Sequence, residues 1–285
     1  MTVLEAIQKS AEFLGKKGVE SARLQTELLL AHLLKMPRMK LYLNFERALS
    51  TEETDAFREM IKRRGQREPL QHITGSTSFC GYEILVNKNA LVPRPETELL
   101  AEEGWKCLGE REATALDFGT GTGCIAIALA TKCPKAKIVA LDVSAEALAL
   151  AKENAAKNNV ADRIEFVQGD GFAASPQMQF DLIISNPPYI PTAEIETLQP
   201  EVKDFDPRGA LDGGADGLDF YRMFAAQAKL FLKPDGKIML EFGDGQAEAI
   251  RNIFEAEKWI VDEIKSDYSQ RERIAIIKAS SLSSS

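Results

Sequence analysis

Asn186-Pro187-Pro188-Tyr189 follows directly on the apolar run Phe180-Asp181-Leu182-Ile183-Ile184-Ser185. An amide or exocyclic amine nitrogen is a poor nucleophile, because its lone pair is delocalised into a carbonyl or a ring. Two acceptors that grip its hydrogens draw such a nitrogen towards a reactive geometry. In this loop the acceptors are the Asn186 side-chain oxygen and the Pro187 carbonyl, with Tyr189 packing on the flat group. Pro187 and Pro188 fix φ and bring no competing N–H of their own. The chemistry the loop suits is therefore methylation of a planar NH₂ group. Taken alone, the tetrapeptide also reads as a rigid proline turn after a strand, and a second motif upstream decides between the two.

That motif is Gly119-Thr120-Gly121-Thr122-Gly123, set between an apolar strand, Thr114 to Phe118, and a buried helix rich in small residues, Cys124 to Ala130. Strand, glycine-rich turn and helix open a nucleotide-binding α/β unit, in which absent side chains let a ligand approach the backbone. The spacing is G-x-G-x-G, whereas the dinucleotide fingerprint is G-x-G-x-x-G. Without a pyrophosphate to hold, the turn favours S-adenosylmethionine over NAD. The next strand, Lys137 to Leu141, ends at Asp142, the position of a ribose-hydroxyl ligand about 20 residues beyond the glycines. A third strand, Ile164 to Gln168, ends at Gly169-Asp170, where a carboxylate can accept from an adenine amino group. Each acid alone reads as a solvated residue at a strand end. Asp117, Asp142 and Asp170 at three successive strand tips, with Asn186 at a fourth, place a ligand site where open α/β sheets bind theirs.

Around these motifs, residues 1–70 read as a small helical bundle. Val3 to Gly15 and Glu27 to Leu34 carry apolar residues at helical spacing, and a third helix starts at a Ser50–Glu53 capping box. Residues 71–90 read as a β-hairpin bridge, with Phe79 to Val86 as an exposed hairpin strand. From residue 91 to 279 the chain reads as the catalytic α/β domain. Its helix Glu96 to Leu108 begins beside Pro95, and its helix Leu218 to Leu232 stops at a Lys233-Pro234-Asp235-Gly236 turn. Lys237 to Phe242, Trp259 to Lys265 and Arg273 to Lys278 are further strands, and residues 280–285 a disordered low-complexity tail.

The chain of 285 residues has a net charge of −8, unevenly spread: residues 1–70 carry a net +3 and the remainder −11. An acidic catalytic part argues against stable nucleic-acid binding, which needs basic phosphate contacts. The cluster Arg58, Lys62, Arg63, Arg64 and Arg67 reads either as a solvated helix face or as a surface steering an acidic partner. Four cysteines without a C-x-x-C pair, and His32 and His72 as the only histidines, argue against a metal site. There is no apolar run of the ~18 residues needed to cross a membrane and no signal-peptide pattern at Met1. A reduced, cytoplasmic and monomeric protein is expected.

With these residues in place, the chain resembles the protein-(glutamine-N5) methyltransferases of the PrmC/HemK family, which modify peptide-chain release factors. Leu91-Val92-Pro93-Arg94-Pro95-Glu96-Thr97-Glu98 is similar to the family's L-I-P-R-P-E-T-E segment. Phe205-Asp206-Pro207-Arg208-Gly209-Ala210-Leu211-Asp212-Gly213-Gly214, running on to Asp216-Gly217-Leu218, is similar to its E-P-R-x-A-L-x-G-G-x-D-G-L segment, with Asp206 in place of Glu. Phe118 likewise replaces the Leu of D-L-G-T-G. The resemblance implies a seven-stranded, Rossmann-like methyltransferase domain preceded by an all-α domain that docks the substrate. It implies that Gly119 to Gly123, Asp142 and Asn186 contact S-adenosylmethionine, and that Asn186 to Tyr189 contact the glutamine of a Gly-Gly-Gln loop. Some relatives set a Trp against the adenine near Gly171, a role that falls here to Phe172. The motifs leave open an adenine-N6 methyltransferase of DNA or RNA, which would need base flipping and a basic groove. They equally leave open a ribosomal-protein glutamine methyltransferase, and a noncatalytic S-adenosylmethionine-binding adaptor.

Overall fold

The computed structural model describes residues 1–175 and 178–280, so most of the expected tail lies outside the described residues. The chain divides into two units, Met1–Ser76 with Gln199–Phe205, and Thr77–Leu198 with Asp206–Ser285.

The first unit is all helix: α1 (Val3–Lys16), α2 (Ala22–Leu33), α3 (Arg38–Tyr42), α4 (Thr51–Gly65), α5 (Leu70–Thr74) and, from the distant segment, α9 (Pro200–Lys203). The Ser50–Glu53 capping box opens α4, and a second one, Thr2–Glu5, opens α1. Helix α2 starts earlier than its periodicity suggests, because Ser21 enters it from the left-handed region without a side-chain cap to announce it. Val3, Ile7, Leu14, Leu29, Leu30, Leu41 and Phe57 close one core. The basic cluster is not a free steering surface. Arg58 pairs with Asp55, Lys62 with Glu59 and Arg63 with Glu68, while Arg64 and Arg67 both hold Glu201 of the distant segment.

The second unit opens with the expected hairpin, β1 (Ser76–Phe79) and β2 (Tyr82–Leu85), whose turn falls within the run Phe79 to Val86 expected as one of its strands. Cys80 and Gly81 turn the chain with φ of 50° and 83°, the primed geometry that matches strand twist. Cys is a poor herald of such a turn. Seven strands then form the main sheet: β3 (Ala113–Phe118), β4 (Ala136–Asp142), β5 (Ile164–Gln168), β6 (Phe180–Ser185), β7 (Leu232–Glu241), β8 (Trp259–Ser266) and β9 (Glu272–Ala279). Their order is β5-β4-β3-β6-β7-β9-β8. The first five run parallel, and β9 lies antiparallel between β7 and β8. Helices α6 (Pro95–Leu108), α7 (Cys124–Lys132) and α8 (Ala145–Lys157) precede or link the early strands, and α10 (Asp219–Gln227) and α11 (Ala247–Ala256) flank β7. Side chains alternate along β3: Ala113 and Ala115 join a core with α6 and α7, whereas Leu116 and Phe118 join a core with α10 and α11. The sheet is thus buried on both faces, which is why its parallel strands read as near-continuous apolar runs.

One expected turn is absent. Lys233 to Gly236 lies within β7, where the register against β6 jumps from Phe180↔Leu232 to Leu182↔Lys237. Pro234 lacks an N–H for the ladder, and a Cβ on Gly236 would fall 2.8 Å from the Phe180 carbonyl oxygen. These two residues make an irregular strand rather than a hairpin.

Candidate active site

Chain order reverses between β3 and β6: the strands run outward from β3 to β5, then return to β6 on the other side of β3. Ligands of such sheets bind at this switch point, outside the carboxyl ends of the strands. The Ser185 hydroxyl donates to the Phe118 carbonyl at 2.6 Å and ties the two strand tips together. The cavity above them is lined by Gly119, Thr120, Gly121, Thr122, Asp142, Asp170, Gly171, Asn186 and Pro188 among others. Residues at the ends of four strands, β3 to β6, therefore share one concavity.

The glycine turn is built from its own hydrogen bonds. The Gly119 and Thr120 N–H groups donate to the Leu141 carbonyl at 2.8 and 2.9 Å, and that of Gly123 to Thr120 at 2.8 Å. The Gly121 N–H donates to the Asp142 carboxylate at 2.8 Å. With these donors consumed internally, the turn is not a phosphate nest of free amides. It presents instead an open surface: nothing lies within 4 Å of where a Cβ on Gly119 would be, and Gly119 has a φ of 73°. A ligand can thus approach the backbone closely. Asp142 also accepts from the Ser144 N–H at 2.9 Å, and a carboxylate with about four lone-pair sites retains acceptor capacity towards the cavity. Open glycine backbone, an anchored acid and a second acid at Asp170 fit an adenosine moiety without a phosphate.

Four expected ligand residues lie outside this lining. Gly123 caps α7, and its Cβ would meet Ala151 of α8 at 3.0 Å, so the glycine serves close helix packing. Phe172 is 1% exposed. It stacks on Phe231 at 5.1 Å and packs against Phe118 and Phe224, so its ring belongs to the core beneath the cavity rather than to an adenine face. Pro187 is buried. Tyr189 is half-buried, and burial, then the nearby Glu241, pushes its hydroxyl up to about 12. Asp117 likewise does not line the cavity: wholly buried, it accepts from the Thr120 hydroxyl at 2.6 Å and the Ala126 N–H at 3.1 Å. Burial raises its carboxyl to about 7 against those two bonds.

The Asn186 side chain reaches the cavity with its amide held from behind. Its Nδ2 donates to the Thr97 hydroxyl oxygen at 3.0 Å, which leaves Oδ1 as the free acceptor. Thr97, in the first turn of α6, is 2% exposed, and Glu241, at the tip of β7, is 3% exposed. Burial pushes Glu241 up to about 7, with the nearby Thr97 hydroxyl acting in the opposite direction. Beneath the loop, Gln246 donates to the Tyr189 carbonyl at 3.0 Å. The segment after Leu211 runs alongside it: Ile190 N–H donates to Leu211, Gly213 to Ile190, and Thr192 to Gly214. Arg94 pairs with the buried Asp206 at 2.7 Å. The Pro93-Arg94 and Asp206-Pro207 stretches, far apart in sequence, thus meet at one side of the cavity. Thr97 and Glu241 were not among the residues singled out above. An acid ending an apolar strand was the signal for Glu241, as it was for Asp142. Thr97 stands in the Leu91–Glu98 segment quoted above, but nothing in that segment assigns it a role.

The comparisons with known proteins agree with this architecture. Residues 5–75 match the family described as PrmC N-terminal domain, and residues 96–199 match the methyltransferase small domain. A methyltransferase from Pyrococcus furiosus shares the fold, with a TM-score of 0.53 and 22% identity over 70% of this chain and 90% of that one. Sheet order, glycine turn and domain match together define a methyltransferase. The chain is 45% identical to the release factor glutamine methyltransferase of Geobacter sulfurreducens, over 89% of its own length and 88% of the relative's. It is 40% identical to the enzyme of the same name from Chlorobaculum tepidum, over 95% of each. The chain belongs to the family of release factor glutamine methyltransferases. Among the described residues no helix is long and apolar enough to cross a membrane, and no cluster of His, Cys, Asp or Glu could hold a metal ion.

Proposed function

We propose that this protein methylates the side-chain amide nitrogen of the glutamine in the Gly-Gly-Gln motif of peptide-chain release factors, with S-adenosylmethionine as methyl donor. The observation that carries the reading is the orientation of Asn186. Its nitrogen is engaged by Thr97 at 3.0 Å, so its oxygen is the atom left to accept from an incoming NH₂ group. When bound, the sulfonium supplies the methyl group: an N–C bond forms as the S–C bond breaks, S-adenosylhomocysteine leaves, and the surplus amide proton passes to water. Gly119, Thr120, Gly121, Thr122, Asp142, Asp170 and Gly171 line the cavity where its adenosine part would lie. Asn186 Oδ1 accepts from the glutamine amide, which draws its lone pair out of conjugation and towards the methyl carbon. The gain comes from alignment in a closed site. Tyr189, with its hydroxyl at about 12, stays protonated and serves as a flat wall rather than a base.

Mass spectrometry of a purified release factor incubated with the protein and S-adenosylmethionine tests this. The expected result is one added methyl on the Gly-Gly-Gln glutamine, and a loss of about 10²–10³ in rate for Asn186→Ala, the scale of a missing hydrogen bond to a reacting group. An unmodified glutamine, with donor binding shown in parallel by calorimetry, overturns the substrate assignment. Near-normal turnover by folded Asn186→Ala overturns the role of the loop.

A further inference from the structure

The geometry points to Asn154 of α8 as a positioning residue for the donor cavity, a buried amide that ties two separate stretches of the cavity's lining to each other. It rests on the reading of that cavity as the S-adenosylmethionine site and adds a residue outside it. Asn154 is not among the residues that line the cavity.

The first stretch follows the hairpin. Between the end of β2 at Leu85 and the start of α6 at Pro95 the chain has no helix or strand. Asn89, Ala90, Leu91, Pro93 and Arg94 of this stretch line the cavity. Irregular backbone has no ladder of its own, so its path depends on what holds its ends. Helix α6 holds the far end, and Asn154 holds the near one. The Leu85 N–H donates to Asn154 Oδ1 at 2.7 Å, and the Leu85 carbonyl accepts from Nδ2 at 3.0 Å. One side-chain amide thus meets both backbone groups of the last strand residue, as a neighbouring strand would. The second hydrogen of Nδ2 goes to the Thr122 carbonyl at 3.0 Å. Thr122 belongs to the glycine turn and lines the cavity from there. An Asn amide has two hydrogens and one oxygen to offer, and here each is engaged.

The reach to Thr122 needs α8 to lie hard against the turn, and Gly123 permits that. A Cβ on Gly123 would fall 3.0 Å from the Ala151 Cβ, and Ala151 stands three residues before Asn154 on the same face of α8. Ala90 of the lining stretch packs with Ala147 and Leu150 of α8, with Leu85 against them. The hairpin does not need Asn154 to stay attached, because Asn158 of the next turn donates to the Glu83 carbonyl at 3.0 Å. What Asn154 adds is the bond onward to the glycine turn. Without it the two lining stretches move independently, and the donor must order them as it binds, which lowers its affinity.

The test compares Asn154→Ala, Asn154→Asp and Asn158→Ala with the wild type. Asn154→Asp keeps the shape and the acceptor for Leu85, but an ionised carboxylate gives neither carbonyl a hydrogen. Calorimetry with S-adenosylmethionine should show affinity about 10-fold weaker in both Asn154 variants, the scale of a buried hydrogen-bond partner removed. Asn158→Ala, which loosens the hairpin alone, should bind as the wild type does. With a release factor as substrate, KM for the donor should rise in Asn154→Ala while kcat stays within about threefold, the pattern of lost uniform binding. By reciprocity the coupling also shows in the wild type: saturating S-adenosylhomocysteine should slow hydrogen exchange of the Leu85 N–H by a similar factor. Wild-type affinity in folded Asn154→Ala, or an equal loss in Asn158→Ala, overturns the proposal. If both Asn154 variants fail to fold, exchange at Leu85 decides alone, and an unchanged rate there overturns it. A wild type that binds no S-adenosylmethionine would instead overturn the reading of the cavity, and the two failures are thereby told apart.

Discussion

Gly217→Ala would test the packing that holds the Asn186–Tyr189 loop from a position that touches no substrate. Gly217 has a φ of 77°, and a Cβ there would fall 2.3 Å from the Tyr189 carbonyl oxygen and 2.8 Å from Gln246 Nε2. The same carbonyl accepts from that Gln246 nitrogen at 3.0 Å. An ordinary carbon–oxygen contact is about 3.3 Å, so the Tyr189 peptide must retreat by roughly 1 Å. A displacement of that size at a reacting centre costs on the order of 10²-fold. The left-handed backbone adds a stability cost of about 1–2 kcal/mol for any residue with a Cβ. Gly75→Ala separates the two effects, because Gly75 has a φ of 79° and nothing within 4 Å of its Cβ position. Both variants should melt earlier than wild type. Only Gly217→Ala should lose about 100-fold in kcat, with S-adenosylmethionine affinity by calorimetry unchanged, since Asp142 and the glycine turn lie on other elements. Equal kcat for the two variants would refute the reasoning.

Two further outcomes follow from the cavity. Asp142→Ala frees the Gly121 and Ser144 N–H groups together. It should weaken S-adenosylmethionine binding by 10-fold or more, about 1.4 kcal/mol or more, and an unchanged calorimetric affinity would contradict that role. Asp117 has a carboxyl raised from 3.8 to about 7. A raised folded value means that its stabilisation is complete below the unfolded midpoint and lost as pH rises through about 7. Asp117→Asn does not titrate. Urea unfolding at acidic and alkaline pH should therefore show the wild type losing stability relative to the variant as pH rises, by up to about 4 kcal/mol. A pH-independent difference would refute the burial argument.

Much of the catalytic unit could be read from sequence because its chemistry and its fold share the same punctuation. The central parallel strands β3, β4 and β6 are largely buried apolar runs, and the residues that meet the cavity stand at or just beyond strand ends: Asp142, Asp170 beyond Gly169, and Asn186. What escaped the sequence depends on partners remote along the chain. Gly123 sits in a nucleotide-type motif, yet only the proximity of Ala151 shows that helix packing requires it. Phe172 follows Gly171 into a shared loop, but its ring turns inward to Phe118, Phe224 and Phe231. The Cys80-Gly81 turn and the irregular start of β7 break local rules, and neighbouring structure enforces them. The attachment of residues 199–205 to the helical unit rests on Arg64 and Arg67 reaching Glu201, for which no local pattern exists.

That attachment also imposes a schedule on synthesis of the chain. Arg64 Nη2 and Arg67 Nε reach Glu201 at 2.8 and 2.7 Å across 137 and 134 positions of sequence. At the roughly 5–20 residues per second of translation, the ribosome needs on the order of ten seconds to proceed from the end of the first helices to that glutamate. Through this interval the buried Arg64 can reach Gln25 and the Glu68 carbonyl but lacks its counter-charge. The nascent N-terminal helices thus wait, incompletely neutralised, for an element that emerges only after the sheet strands up to Ser185 have been made.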